Sequence, residues 1–109
     1  MDLWNELELK RKELMQGVKA LATYGRKYAE AERDYKVLLR KTALQLKADG
    51  MAVGLLNLVV YGDPEVAKAR CERDIQEALY KADQALVNQI TLEMRILESQ
   101  LNREWSVRE

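Results

Sequence analysis

The side chains able to do chemistry in this sequence are charged and phenolic. Tyr24, Arg26, Lys27, Tyr28, Arg33 and Tyr35 fall close together, interleaved with Glu30, Glu32, Asp34 and Lys36. Tyrosine and arginine dominate the energetics of binding surfaces, because each brings a large apolar area and a directional polar tip. This stretch is therefore a candidate interaction patch for a partner or ligand. The plainer reading carries more weight: Tyr28 and Tyr35 fill a helix seam while the charges face water. An antiparallel fold would set the patch opposite the region around Ala78 to Gln89.

A second concentration is basic. Lys36, Arg40, Lys41 and Lys47 occupy residues 36–47 without one acid, and Lys68, Arg70 and Arg73 follow a short apolar piece. Helix, Gly50, short apolar element and a further helix have the outline of a helix-turn-helix, and such cations contact DNA through phosphates. Asp63 and Glu65 stand where a recognition helix would approach the bases, which counts against that reading. Closure of a hairpin tip is the favoured role for this elbow, with a protein-docking tip as a further one.

Catalysis finds little material. The chain has no histidine, so the commonest general base and metal ligand is missing. Thr23, Thr42, Thr91, Ser99 and Ser106 fall in helical sequence without a recognisable base. No phosphate loop, paired-cysteine motif or calcium loop occurs. Glu30 with Asp34, or Glu93 with Glu98, offers carboxylate pairs for a metal, but carboxylate-bridged bundles also use histidine. Cys71 is the single cysteine, expected as a buried structural thiol. No enzyme activity, cofactor or metal is expected.

The elements that must position these groups are helices. The chain has 109 residues, 48% apolar and 33% charged, with one proline and no phenylalanine, a composition rich in residues that lose little freedom in a helix. Leu7, Leu14, Leu21, Tyr28 and Tyr35 recur every seven positions, which predicts a first arm over about 2–48 with an apolar stripe. Gly17 and Gly25 on that arm mark points where another helix comes close. Asp49-Gly50 is a helix stop. An elbow over about 50–63 contains a short helix that Gly62 can end, and Asp63-Pro64-Glu65 starts the next helix by capping and by favourable charge.

The second arm, about 64–107, has Ile75, Leu79, Ala82, Leu86, Ile90, Met94, Leu97, Leu101 and Trp105 at steps of three or four. The fold class is thus all-α, a single-domain, coiled-coil-like antiparallel hairpin over 1–109 that brings Trp4 near Trp105 and Leu7 near Leu101. Two helices bury one seam, so assembly into an oligomeric bundle is expected. Residues 1–49 carry 11 basic and 8 acidic groups and residues 50–109 carry 7 and 10, giving arms of opposite sign that attract within or between chains. The overall balance of 18 and 18 lacks the basic excess of nucleic-acid proteins. No secretory leader or membrane span is visible, and the lone cysteine fits a reducing, cytoplasmic setting.

The strings Tyr28-Ala29-Glu30-Ala31-Glu32-Arg33-Asp34-Tyr35-Lys36, Val66-Ala67-Lys68-Ala69-Arg70 with Glu72-Arg73-Asp74, and Arg103-Glu104-Trp105 resemble small uncharacterised helical proteins of bacteriophages and prophages. The resemblance spans most of the chain. It implies an intracellular role near replication, recombination or counter-defence, and assigns no residue a role. Three functions stand in order: a self-associating adaptor or inhibitor of a protein partner, an accessory DNA-binding protein, and a counter-defence sponge that binds a signalling nucleotide at an oligomer interface.

Overall fold

A computed structural model describes residues 2–108 of the chain. It is all-helical, with 94% of these residues in three helices: α1 Leu3–Ala48, α2 Val53–Gly62 and α3 Pro64–Arg108. No strand occurs among the described residues.

Local chemistry sets each boundary. The Asp2 carboxylate accepts from the Asn5 backbone N–H at 2.8 Å, satisfying one of the open donors at the start of α1. At its other end Gly50 has φ +92°. The Gly50 N–H bonds to the Lys47 carbonyl and the Met51 N–H to the Leu46 carbonyl, both at 3.1 Å. These two reverse bonds form a Schellman stop, which asks for a left-handed residue that glycine supplies without steric cost. The Asp63 carboxylate accepts from the N–H groups of Glu65 and Val66, each at 3.1 Å, as the Asp-Pro-Glu sequence predicts. Gly62 closes α2 without a left-handed turn, for Gly50 alone has positive φ among the described residues. The chain turns instead at Asp63, whose φ −60° and ψ 129° are extended, the conformation favoured before proline.

Contacts divide the chain into two compact units. In the unit formed by residues 1–23 with 81–109, α1 and α3 run antiparallel. Lys10 pairs with Glu93 at 2.6 Å, and a Cβ on Gly17 would lie 3.1 Å from Val87 Cγ2. Leu7 and Ile90 are buried. Trp4 and Trp105 line one small hollow together with Leu3 and Leu101, so the tryptophans lie near each other as the fold-back predicts. Asp83 is 8% exposed, and its Oδ2 has no hydrogen-bond partner among the described residues.

In the unit of residues 24–80, α1 and α3 are again antiparallel, and α2 completes it. Tyr35, Val60 and Val66 are buried. A Cβ on Gly25 would stand 3.4 Å from the Tyr80 ring, so both glycines of α1 mark close approaches of α3, as expected.

The expected apolar row of α3 holds only in part. Ile90 is buried and Met94, Leu97 and Leu101 are half-buried. Ile75, Leu79 and Leu86 are 48%, 41% and 52% exposed, Ala82 is exposed and Trp105 is 64% exposed. The row turned inward is Val66, Ala69, Arg73, Tyr80, Asp83 and Val87. Its residues meet what α1 presents: a glycine notch for Tyr80, another for Val87, and an aromatic ring for Arg73. An apolar count along α3 alone cannot register these partners.

Candidate functional site

The Tyr24–Lys36 stretch divides between the inside and the outside of the 24–80 unit. Tyr35 is 6% exposed, and the Arg73 guanidinium lies 4.7 Å from its ring centroid. Arg73 also reaches Glu32 at 3.6 Å and Asp74 at 2.8 Å. The Tyr28 and Tyr80 rings are 6.0 Å apart and tilted by 36°, and Tyr24 is half-buried. Tyr28 and Tyr35 therefore serve the seam, with the Tyr35 ring covered on one face by the Arg73 guanidinium. Arg26 pairs with Glu30 at 3.9 Å and Arg33 with Asp34 at 3.1 Å on the exposed side, while Lys27 borders a groove.

The register differs from the expected one. Tyr28 does meet Tyr80, but Glu32 and Tyr35 meet Arg73, so the patch faces residues nearer the start of α3 than Ala78–Gln89.

Electrostatics follow the contacts. The Tyr28 hydroxyl donates to the Glu32 carboxylate, which pushes the phenol up and, with Lys36 and Arg73 nearby, holds Glu32 below the ordinary glutamate range. The bond to Asp74 raises Arg73, keeping it charged. In the other unit Lys10 is raised by its bond to Glu93, and Glu93 is lowered by the same bond.

Of the basic set of the elbow, Arg73 alone turns away from solvent; the other six are exposed. Arg73 points into the seam, and Lys36 pairs with Glu32 at 3.5 Å. Arg40 and Lys41 are exposed beside Val37 and Leu44 in a shallow depression of α1. Lys47, Lys68 and Arg70 are exposed, with Lys68 on the groove wall. Arg40, Lys41 and Lys47 have no ion-pair partner among the described residues.

That groove was not apparent from the sequence. It has a volume of about 780 Å³, and Ala31, Leu38 and Ala69 line it with apolar surface. Its charged lining is four carboxylates, Glu30, Asp34, Glu65 and Glu72, against two ammonium groups, Lys27 and Lys68. The available signal was a partly matched spacing on the two arms: alanine at 31 and 69, with Asp34 three positions from the first and Glu65 and Glu72 four and three positions from the second. Cys71 also borders the groove and is exposed, contrary to the expected buried thiol. It lies two positions before inward Arg73, a rotation of about 200° around the helix.

The elbow helix is the most apolar element, VGLLNLVVYG, without a charge. Val60 is buried, while Val53, Leu55, Leu58, Val59 and Tyr61 are 72%, 55%, 76%, 41% and 46% exposed. Asp63 shields the first N–H groups of α3, so that helix start presents a carboxylate where a DNA reader would need an anion-accepting end.

No group of three or more metal-ligating side chains occurs among the described residues; Asp34 is tied to Arg33 and Glu93 to Lys10. Among the described residues no helix is long and apolar enough to cross a membrane. Comparison with known proteins gave no matching family model, no similar curated protein and no similar solved structure.

Proposed function

We propose that the chain is a non-enzymatic helical-hairpin protein of phage or prophage type that works as an assembly and acts as an adaptor or inhibitor by docking on a protein partner. The observation that carries this reading is the exposed apolar surface of α2, five large side chains on one uncharged ten-residue helix. Contiguous apolar surface of this kind on a water-exposed element marks a site that another surface covers. The burial pattern supports the assembly. Among the described residues five hydrophobic side chains are buried and eighteen large ones are exposed, the imbalance expected when helix pairs complete their core with further helices.

Light scattering tests the assembly, and capture of host and phage proteins on the immobilised chain, compared with Leu58→Asp, tests the docking. A folded monomer that binds neither itself nor any of those proteins overturns the proposal. A second reading, accessory DNA binding, is favoured by one observation: the cations of Arg40, Lys41 and Lys47 have no ion pair among the described residues, which leaves them available for phosphates. Gel retardation on single- and double-stranded DNA at low salt tests it, and no shift removes it.

A further inference from the structure

We infer that the groove between α1 and α3 in the 24–80 unit receives α1 of a second copy, making a two-fold dimer. The inference rests on the assembly reading above and names the surface that serves it. The groove has small apolar side chains, Ala31 and Ala69, where an approaching helix needs room. Its lining is acidic, four carboxylates to two ammonium groups. Its occupant should therefore be a helix with an apolar row and basic flanks.

Such a helix lies in the same unit. Over residues 37–48, α1 has Val37, Leu44 and Ala48 on its outer side, bordered by Arg40 and Lys41; Val37 and Leu44 are each 61% exposed. This stretch contains no acid. The groove side of α1, residues 27–38, and the ridge, residues 37–48, are each roughly 17 Å long at 1.5 Å per residue. Groove and ridge are adjacent on one helix, so a single antiparallel crossing of two α1 helices satisfies both at once. The contact is isologous, the commonest closed symmetry.

The crossing has a definite register. Exchanging the two stretches places the axis beside Val37, so that Val37 of each copy lies near its equivalent. Leu44 of one copy then stands level with Ala31 of the other, a large side chain against a small one. Lys41 stands level with Asp34, and the contact of Tyr35 with Arg73 puts Glu72 across the groove from Asp34. Neither Arg40 nor Lys41 has an ion-pair partner within its own chain among the described residues, and Glu72 has only the amide of Gln76. The unpaired cations of the ridge thus meet two groove carboxylates: Glu72, which has no ion pair among the described residues, and Asp34, which is paired with its neighbour Arg33.

The test uses the full chain and two charge-reversed variants, R40E/K41E and D34K/E72K, with helicity checked by circular dichroism. Each alone opposes like charges at both symmetric contacts and should weaken the dimer at least about tenfold in sedimentation equilibrium. An equimolar mixture restores opposite charges at both contacts and should recover wild-type affinity as a heterodimer. Independently, V37C in a C71S background should form a disulfide-linked dimer under mild oxidation, whereas V107C in that background should not. Assembly of the wild type that ignores the charge reversals and gives no Val37 cross-link overturns this interface and leaves the assembly reading standing. A wild type that remains monomeric at every concentration, including one that binds a basic amphipathic peptide in the groove, overturns both.

Discussion

Arg73 meets an aromatic face, a carboxylate across the seam and one beside it. Its side chain is only 21% exposed, so these contacts act in a less screened setting than surface ion pairs. Arg73→Ala should lower stability by about 1–2 kcal/mol, and Arg73→Lys should recover only part, because an ammonium cannot cover the ring and span both carboxylates; urea denaturation measures both. The Lys10–Glu93 and Tyr28–Glu32 bonds give a pH dependence. Glu93 and Glu32 are lowered in the folded chain, so the folded state holds fewer protons there than the unfolded one. Their contribution is present above the ordinary glutamate value of 4.5 and is lost as pH falls through the lowered values. Lys10 and Tyr28 are raised, so theirs is lost as pH rises past about 10. Melting temperature against pH should fall at both extremes, and Glu93→Gln should flatten the acid limb.

At the scale of elements, the helix ends depend on single residues. Gly50→Ala forces a side chain into φ +92° and should cost about 1 kcal/mol. Asp63→Ala removes the acceptor for two N–H groups and should cost a similar amount, about 1 kcal/mol. Thermal unfolding reads both, with Asp63→Asn recovering most of the loss. These ends were legible in the sequence because capping is local: Asp49-Gly50 and Asp63-Pro64-Glu65 act through hydrogen bonds a few positions away. Which row of α3 turns inward was not legible. That helix offers Ile75-Leu79-Ala82-Leu86 as an apolar row, but the groups facing it on α1 are Gly25, Tyr28, Glu32 and Tyr35, which suit Tyr80 and Arg73. The same displacement explains the candidate patch. Its residues were found, but whether a tyrosine fills the seam or faces a partner depends on the helix opposite it, and the groove arises only when two distant alanines come together.

For the whole molecule, the apolar residues left on the outside matter more than those within. Leu58 is 76% exposed, so Leu58→Asp should change folding stability by less than about 0.5 kcal/mol. It should nevertheless sharply reduce binding of a hydrophobic dye and capture of a partner, separating docking from folding in one variant. The two caps that flank α2, the Gly50 stop of α1 and the Asp63 start of α3, have a kinetic consequence. They fix the reversal of the chain within a short segment, while the cross-chain contacts span increasing lengths: 38 positions from Tyr35 to Arg73 and 83 from Lys10 to Glu93. Loop closure costs about 0.6 kcal/mol more for each doubling of length, so refolding should begin at the elbow and close outward. Asp63→Ala then slows refolding in stopped-flow measurements, whereas Lys10→Met chiefly hastens unfolding. A cap directly beside a proline would thus act as the starting point of a zipper, and the order in which the chain closes would be written into its bend.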